Sequence, residues 1–354
     1  MFDSIMWQYL KEEPLRLREL LASDFSTQQK EILSQADCIY ITAHGSSYNA
    51  ALTIGPLFAE TAGIRVYAYT PSAFRHHACT WTKEPAKTTL VLGISQTGTS
   101  RGILEALEYA REQGFSTACI TDNPDAPIVR LSKTAFYLAC GEEHSNAKTK
   151  GYSCTLLILL KMAMELALRK QHINTETKDL FQQHLLEEIG SLESVMDAAL
   201  SWCSANHFAD QFDHLYVLGS GLHAGTAMEG SLKLMETMCV PAMYSDLTEF
   251  SHGMHRSVKK TSRVILIRSS ADRDLADVIF QWMREHEVPV LVINTTERLD
   301  DPHVINLPED SFGESVLSAA AVLQTISVFI PETNGFDPNR PANDDMTAAA
   351  KTRV

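Results

Sequence analysis

One segment of the sequence combines side chains that could do acid–base chemistry. Residues 228–237 carry Glu229, Lys233 and Glu236 among apolar positions, and His252 follows 16 residues after Glu236. A helix would place Lys233 and Glu236 on one face, with Glu229 a turn back and nearly in line. Charged groups on a buried helix are costly unless they are paired. The set is therefore either a tuned acid–base pair beside a pocket or a structural ion pair.

A second group of polar side chains follows an apolar, strand-like run at residues 90–94. Such a turn, rich in Gly and hydroxyl groups at a helix N-terminus, can bind an anion through backbone N–H groups, the helix dipole and hydroxyl donors. The loop lacks Lys, so it is not the P-loop of nucleotide-binding proteins. We expect either a seat for a compact phosphate monoester or an ordinary capped turn. The polar positions are Ser95, Gln96, Thr97, Gly98, Thr99 and Ser100.

Strands and helices alternate along the chain as parallel βαβ units require. This alternation predicts an α/β fold with a parallel sheet covered by helices on both faces, flavodoxin-like or Rossmann-like. Ligands on such sheets bind beyond the carboxyl ends of the strands, where the loop at 95–100 and a second polar loop at 44–49 both fall. Strands are predicted at 38–43, 66–69, 89–94, 116–121 and 134–138, and helices at 6–21 (interrupted by Pro14), 50–62, 149–169 and 177–201.

The sequence then repeats itself. Residues 39–45 match 215–221 at an offset of 176, and residues 92–121 match 265–294 at an offset of 173. Two matches in the same order at nearly equal offsets predict duplicated domains. The second copy replaces the Gly- and hydroxyl-rich loop with a segment that contains Arg268 and Asp272, so we expect one phosphate site per chain, built by the first copy. The expected divisions are a helical segment at 1–35, domains at 36–172 and 173–335, and a tail at 336–354 that closes the site.

Composition excludes several classes of function. The chain has 354 residues, 45% of them hydrophobic and 21% charged, which suits two α/β domains. A net charge of −14 argues against a nucleic-acid partner. No apolar run reaches the length of a membrane span, and the first residues lack a signal-peptide core. We expect a cytoplasmic protein with neither nucleic-acid nor membrane partners.

The cysteines and histidines do not predict a metal site. The seven cysteines are scattered without a C-x-x-C pair, and Cys38, Cys119 and Cys140 lie in apolar stretches, so we expect reduced, buried thiols. The adjacent His76 and His77, with Cys79 nearby, indicate a polar loop rather than a metal site. We expect no metal and no cofactor.

Together these motifs resemble the sugar isomerase (SIS) family, in particular the isomerase half of glucosamine-6-phosphate synthase and the fructosamine-6-phosphate deglycases. The resemblance covers nearly the whole chain and implies two SIS domains. The matching motifs are Lys11-Glu12-Glu13-Pro14, Gly45-Ser46-Ser47-Tyr48, Ser95-Gln96-Thr97-Gly98, Ala147-Lys148-Thr149-Lys150, the helix at 229–236, Glu249-Phe250-Ser251-His252-Gly253 and Asp337-Pro338-Asn339-Arg340-Pro341.

The resemblance also implies roles for individual residues. The proton-shuttling Glu falls on Glu236, the ring-opening His on His252 and a supporting Lys on Lys233. In dimeric enzymes of this family the His is supplied across the subunit interface. The resemblance therefore implies a homodimer. Glu249 and Lys351 are further candidates. The residues implied in binding phosphate or sugar are Gly45, Ser46, Ser47, Ser95, Gln96, Thr97, Ser100 and Asn146.

Three departures from the family pattern shape the functional hypothesis. Phe2 stands where a glutaminase domain would need a Cys nucleophile, so we expect no ammonia supply from glutamine. The C-terminal Lys that could form an imine with fructose 6-phosphate is replaced by an acidic run that begins at Asp344, and the nearest Lys is Lys351, out of register. His44 and Met254 replace a Cys and a Pro of the family.

Loss of the imine-forming Lys would impair a synthase more than a deglycase. The substrate of a deglycase, an Amadori compound, already carries nitrogen at C1. The sequence therefore favours a fructosamine-6-phosphate deglycase that gives glucose 6-phosphate and a free amine. Lys233, which deglycases tend to lack, keeps open a glucosamine-6-phosphate deaminase or an ammonia-dependent isomerase of the synthase type. A non-catalytic sugar-phosphate sensor is the alternative from another class. The acidic run Glu142-Glu143-His144 could select an amine-bearing substrate, but a solvated turn is the favoured interpretation.

Overall fold

The computed structural model describes residues 4–78, 83–308 and 314–354. The chain divides into two compact units. We call them the Ser95 unit, which comprises Leu15–Glu143, Gly151–Gln183 and Pro341–Val354, and the Glu236 unit, which comprises Met1–Pro14, His144–Lys150 and His184–Arg340.

The Ser95 unit is built around a parallel sheet of five strands. Its order is β2-β1-β3-β4-β5, and β1 pairs with both β2 and β3. Strands β1 and β3 are buried along their whole length, as expected for a parallel sheet with helices on both faces. The strands are β1 (Cys38–Ala43), β2 (Arg65–Tyr69), β3 (Thr89–Ile94), β4 (Ser116–Thr121) and β5 (Thr134–Tyr137).

The Glu236 unit contains a second sheet of five strands in the order β10-β9-β8-β6-β7. Counted from β6, this is the same topology as in the first sheet: the second strand lies on one side of the first, and the third, fourth and fifth lie on the other. The predicted duplication and the α/β fold class are confirmed. The strands are β6 (His214–Leu218), β7 (Ala242–Ser245), β8 (Ser262–Arg268), β9 (Val290–Asn294) and β10 (Val304–Asn306).

Helices connect the strands and extend the chain at both ends. They are α1 (Ile5–Ala22), α2 (Thr27–Ser34), α3 (Gly45–Ala62), α4 (Pro71–Ala73), α5 (Arg101–Glu112), α6 (Pro127–Arg130), α7 (Lys150–Arg169), α8 (Thr175–Ala205), α9 (His223–Met238), α10 (Leu247–His252), α11 (Arg273–Glu285), α12 (Val316–Thr333) and α13 (Asp344–Ala350). A π-helical turn (Phe74–Ala78) and 3-10 turns (Ala86–Thr88 and Met254–Ser257) complete the described elements.

Two of the predicted helix boundaries are wrong. Helix α3 begins at Gly45, so most of the stretch predicted as a polar loop at 44–49 forms the first turn of a helix. Helix α1 continues through Pro14, where an interruption was predicted from the sequence. Proline removes one intrahelical hydrogen bond but does not prevent the φ angle of a helix.

Two helices, α7 and α12, are long and apolar enough to cross a membrane by length and composition, which corrects the expectation that no apolar run reaches that length. In each, 89% of the apolar window is buried inside the protein. Such burial is typical of core helices of a globular protein.

The cysteine prediction is confirmed at the positions on which it rested. Cys38, Cys119 and Cys140 are buried and form no disulfide. Burial raises the pKa of Cys38 to about 12 and that of Cys119 to about 11. His76 and His77 lie in the π-helical turn rather than in an extended loop, and Cys79 lies outside the described residues.

Candidate functional site

The polar loop at 95–100 lies where the topology of the first sheet favours ligand binding. It follows β3, and the first turn of α3 follows the neighbouring strand β1, whose Ala43 pairs with Ile94. Strand β2 lies on one side of β1 and β3 on the other, so the connections diverge between β1 and β3. Open α/β sheets bind ligands in the crevice at such a switch point.

The loop is held by its own hydroxyl groups. The backbone N–H of Gly98 donates to Oγ of Ser95 at 3.1 Å, and Oγ of Ser95 lies 3.1 Å from Oγ of Ser100. Oγ1 of Thr97 lies 3.0 Å from Oγ1 of Thr99. Gly98 has a φ of +69°, and a Cβ atom there would lie 2.3 Å from Cβ of Ala126. The turn therefore requires glycine.

The first turn of α3 supplies a second set of donors. Gly45, Ser46 and Ser47 occupy its first three positions, and the first amides of a helix have no intrahelical acceptor. Together with the N-terminus of α5, which begins after Ser100, this arrangement suits an anion. His44 precedes the helix, and burial lowers the pKa of its imidazole, which favours the neutral ring.

The side chain of Gln96 contacts a buried carboxylate. Its Nε2 donates to Oε2 of Glu143 at 3.0 Å. Glu143 is only 9% exposed, so the interpretation of the Glu142-Glu143 run as a solvated turn is wrong for this residue. Glu142 is exposed, as that interpretation expected.

The last residues of the described chain pair with the same loop. The backbone N–H of Arg101 donates to the carbonyl of Thr352 at 3.0 Å, and the N–H of Val354 donates to the carbonyl of Thr99 at 3.1 Å. Ser100 and Arg353 form an antiparallel bridge. Lys351 caps helix α13 immediately before this segment. Lys351 remains out of register with the C-terminal Lys of the family, and it directly precedes the segment that pairs with the loop.

The second candidate cluster lies on α9 in the Glu236 unit. Nζ of Lys233 donates to Oε2 of Glu236 at 2.5 Å and lies 3.5 Å from Oε1 of Glu229. The side chains of Lys233 and Glu229 are 1% and 2% exposed, whereas that of Glu236 is 34% exposed. A buried cation thus joins one buried carboxylate to one that reaches solvent. The predicted proximity of the three groups is confirmed.

Helix α9 is fixed on its buried side. Oγ of Ser231 donates to the carbonyl of Ala242 on β7 at 2.8 Å, and Leu234 packs in the core. Most of the helix is buried, but Met235 is 40% exposed next to Glu236. The solvent-facing edge of the helix therefore begins at these two residues.

His252 is the last residue of α10 rather than part of a loop, and it is exposed. Glu249, also exposed, lies in the first turn of the same helix. Asp246 caps that turn by accepting the N–H of Thr248 at 2.8 Å. Burial alone would raise the pKa of Asp246, but the hydrogen bonds that its carboxylate accepts from Thr248 and Ser220 hold it below its usual value.

Asn146 occupies a different setting from the other predicted sugar ligands. It belongs to the Glu236 unit, where its Nδ2 donates to the carbonyls of Asn339 at 2.9 Å and Arg340 at 3.1 Å. Nη2 of Arg340 in turn donates to the carbonyl of Met238 at the end of α9. These bonds join the Asp337–Pro341 motif to Asn146 and to the end of α9.

The predicted site residues thus fall into two groups. The Ser95 unit holds Gly45, Ser46, Ser47, Ser95, Gln96, Thr97, Ser100 and Lys351, and the Glu236 unit holds Asn146, Lys233, Glu236, Glu249 and His252. The contact of Glu143 with Gln96 in the loop was not predicted from the sequence. Within the part of the chain that the structure describes, no group of three or more His, Cys, Asp and Glu side chains could hold a metal ion.

Part of the chain matches the model of a known protein family. Residues 32–165 match the SIS domain. The chain contains an SIS domain over these residues. The glutamine–fructose-6-phosphate aminotransferase (isomerizing) of Vibrio vulnificus is 31% identical to it over 326 residues, which cover 88% of this chain and 52% of that protein. The chain therefore spans about half the length of the relatives that it matches.

Solved structures show the same fold over the whole chain. The C-terminal domain of glucosamine–fructose-6-phosphate aminotransferase from Francisella tularensis superposes with a TM-score of 0.87 at 21% identity, covering 96% of this chain and 99% of that one. Glucosamine-6-phosphate deaminase from Thermotoga maritima gives a TM-score of 0.75 at 20% identity, covering 96% and 97%.

The second copy of the SIS fold has a different group at the position of the anion seat. Arg268 ends β8, and its guanidinium donates to Asp277 at 2.6 Å and to Glu297 at 3.1 Å. The hydrogen bond that Arg268 donates to the carboxylate of Asp277 raises the pKa of Arg268 still further. Since two carboxylates already compensate this charge, the guanidinium is not a free anchor for a phosphate.

Proposed function

We propose that this SIS-domain protein is a phosphosugar isomerase-type enzyme that acts on an amino-substituted hexose 6-phosphate, with deglycation of a fructosamine 6-phosphate as its reaction. The observation that carries the proposal is the part-exposed carboxylate of Glu236, held at 2.5 Å by the buried ammonium of Lys233. Moving a carbonyl between C1 and C2 needs a carboxylate that removes a proton from one carbon and returns it to the next. A carboxylate fixed on a packed helix suits that task.

The proposed reaction balances without an oxidant or reductant. Glu236 removes a proton from C1 of the fructosamine, the electron pair forms a double bond between C1 and C2, and the C2 carbonyl oxygen takes up a proton to give an enaminol. A proton then returns to C2 and the nitrogen loses its proton, which gives an aldose imine. Water then adds to C1, and the carbon–nitrogen bond breaks to release glucose 6-phosphate and the amine.

The polar loop supports a phosphorylated substrate. Hydroxyl groups of Ser47, Ser95 and Ser100 and the first amides of α3 offer donors to a phosphate, and the N-termini of α3 and α5 carry the positive ends of the helix dipoles. Binding energy from a group remote from the reacting carbons positions those carbons for proton transfer. We propose one such phosphate site per chain, since Arg268 is paired with carboxylates in the second copy.

His252 supports a separate step. Opening a sugar ring requires proton transfer to and from ring oxygen and hydroxyl, and a histidine suits that role near neutral pH. His252 is exposed at the end of α10. We propose that the enzyme is a homodimer and that each chain supplies His252 to the site of its partner.

A second candidate function rests on Lys351. The chain next to this lysine pairs with residues 99–101 of the phosphate loop, so a primary amine lies within a few residues of the proposed anchor. An imine between Lys351 and fructose 6-phosphate would suit a glucosamine-6-phosphate deaminase or an ammonia-dependent isomerase of the synthase type. Reduction with borohydride in the presence of fructose 6-phosphate, followed by peptide mass spectrometry, would show whether Lys351 is modified.

Product analysis distinguishes the candidates. The purified protein is incubated with ε-fructoselysine 6-phosphate and, separately, with glucosamine 6-phosphate, and glucose 6-phosphate, fructose 6-phosphate and ammonia are measured. Glucose 6-phosphate from the first substrate, lost in E236Q, supports the deglycase. Ammonia and fructose 6-phosphate from the second substrate alone would contradict it and support the deaminase. No product from either, with tight binding of glucose 6-phosphate, would support a sensor.

A further inference from the structure

The amide of Gln96 is fixed by a carboxylate that belongs to no part of the proposed chemistry. Nε2 of Gln96 and the backbone N–H of Gly151 both donate to Oε2 of Glu143, at 3.0 and 3.2 Å. A carboxylate only accepts hydrogen bonds, so the atom of Gln96 that faces it must be the amide nitrogen. This contact therefore determines which way the amide points.

Other contacts hold Gln96 at its backbone. Its carbonyl accepts the N–H of Asp122 at 2.9 Å and Oγ1 of Thr121 at 3.1 Å. The amide nitrogen also lies 3.4 Å from Sγ of Cys140. Burial raises the pKa of the Cys140 thiol far above its usual value, so the sulfur is neutral and a weak acceptor. Glu143 is thus the strong partner of the side chain.

The close approach of Gln96 to α7 depends on the residue at position 151. A Cβ atom on Gly151 would lie 2.3 Å from Oε1 of Gln96. Any other residue there would push the amide away from Glu143. The N-terminus of α7 also stabilises the carboxylate charge, because the Gly151 N–H belongs to its first turn.

A buried carboxylate near a phosphate site weakens phosphate binding by charge repulsion. Its presence there therefore indicates a compensating role in the loop. We propose that Glu143 is a positioning residue of the phosphate loop, which acts through the side chain of Gln96 and does not touch the substrate. This inference rests on the proposed function, because it assumes that the loop binds the phosphate of the sugar. According to this inference, the hydrogen bond from Gln96 to Glu143 positions the loop, and the negative charge of Glu143 is not required.

The test compares E143A and E143Q for binding of glucose 6-phosphate by isothermal titration calorimetry. E143Q keeps an oxygen that can accept from Gln96 and Gly151, so its Kd should stay within about threefold of wild type or become lower. E143A removes the acceptor, so its Kd should rise about tenfold or more. In turnover, E143A should raise KM more than it lowers kcat. Because Glu142 is the exposed neighbour, E142A is the matched control and should bind as wild type.

Two further variants separate positioning from general loss of structure. Q96A should raise the Kd as E143A does. The double variant Q96A/E143A should bind no more weakly than either single variant, because each substitution removes the same contact. G151A should weaken binding although alanine favours a helix over glycine. If E143A does not fold, G151A and Q96A carry the test.

The outcomes distinguish this inference from the proposed function. Failure of the wild-type protein to bind glucose 6-phosphate would contradict the phosphate site itself. Wild-type binding with an unchanged Kd in E143A or G151A, or additive effects in the double variant, would overturn the role of Glu143 alone. Equal weakening in E143A and E143Q would show that the charge and not the contact matters, which also overturns it.

Discussion

The ammonium of Lys233 lies 2.5 Å from Oε2 of Glu236, and the two side chains differ sharply in exposure, at 1% and 34%. The cation is buried and its partner reaches solvent. Behind the pair, Glu229 lies 3.5 Å from the same ammonium and is buried as well. Helix α9 therefore exposes the carboxylate of Glu236 in part to solvent, whereas the charged groups of Lys233 and Glu229 behind it are buried.

Replacing Lys233 with methionine should reduce both stability and activity. It leaves the buried Glu229 without its cation, and removal of one partner from a buried ion pair costs about 3–5 kcal/mol. The double variant K233M/E229L should recover much of the free energy of unfolding, because no buried charge is left unpaired. Activity should stay low in both, since Glu236 has lost the group that holds it. Urea denaturation and product release measure the two effects. Recovery of activity in the double variant would show that the lysine has only a structural role.

Mixing two inactive variants tests the proposed exchange of His252 between subunits. E236Q and H252N should each be inactive. If each chain supplies His252 to its partner's Glu236, a mixture that has exchanged subunits should regain about one quarter of wild-type activity, because half of the dimers then contain one native site. The mixture is unfolded, refolded and assayed with its unmixed components as controls. No recovery, with heterodimers present by native mass spectrometry, would place His252 and Glu236 of one chain in the same site.

Replacing Gly98 with alanine should distort the phosphate loop. The backbone there has a φ of +69°, and the new Cβ would lie 2.3 Å from Cβ of Ala126. We expect a loss of about 2 kcal/mol or more of stability and weaker binding of glucose 6-phosphate. Gly190 offers the matched control, because a Cβ on this residue in helix α8 would meet nothing within 4 Å. G190A should raise stability slightly and leave binding unchanged. Equal behaviour of the two variants would contradict the role of the turn.

Buried His223 should make the protein less stable in mild acid. Burial lowers its pKa, although the nearby Glu314 carboxylate acts in the opposite sense. Nε2 lies 3.0 Å from the carbonyl oxygen of Glu314, and among the described residues Nδ1 has no hydrogen-bond partner that a second proton could use. As pH falls below about 6.5, the unfolded chain therefore takes up a proton that the folded chain does not, and the free energy of unfolding decreases.

The variant H223Q should flatten this pH dependence between about pH 5 and 6.5, because glutamine can still donate to the carbonyl of Glu314 but does not titrate. Thermal unfolding across that range measures the effect. His286 is exposed, so H286Q is the control and should keep the wild-type slope. An unchanged slope in H223Q would contradict the assignment. His44, whose pKa burial also lowers, should account for part of the slope that remains.

The sequence predicted the sheets well because parallel strands buried on both faces leave continuous apolar runs. The predicted limits of β1, β3 and β4 agree with the structure, and the two internal matches correspond to equivalent strands of the two sheets. The start of α3 was missed because Gly, Ser and Ser favour loops by local preference, whereas here they form the first turn of a helix.

The parts of the site that the sequence could not predict depend on contacts between distant residues. Glu143 follows the charged Glu142, a pattern typical of a solvated turn. In the structure Glu143 is buried and accepts a hydrogen bond from Gln96, 47 positions earlier in the chain. Lys351 was out of register with the family motif, and only the pairing of residues 352–354 with 99–101 brings it near the loop. Spacing along the chain contains no information on either contact.

The most direct test of the account follows hydrogen during turnover. The protein is incubated with ε-fructoselysine 6-phosphate in D₂O, and the glucose 6-phosphate formed is examined by proton NMR, with E236Q assayed in parallel. If Glu236 moves the proton from C1 to C2 and exchanges it in part with solvent, the product should carry deuterium at C2, and E236Q should form almost no product while still binding glucose 6-phosphate. Product formed by E236Q at the wild-type rate, with the same labelling, would contradict the central claim.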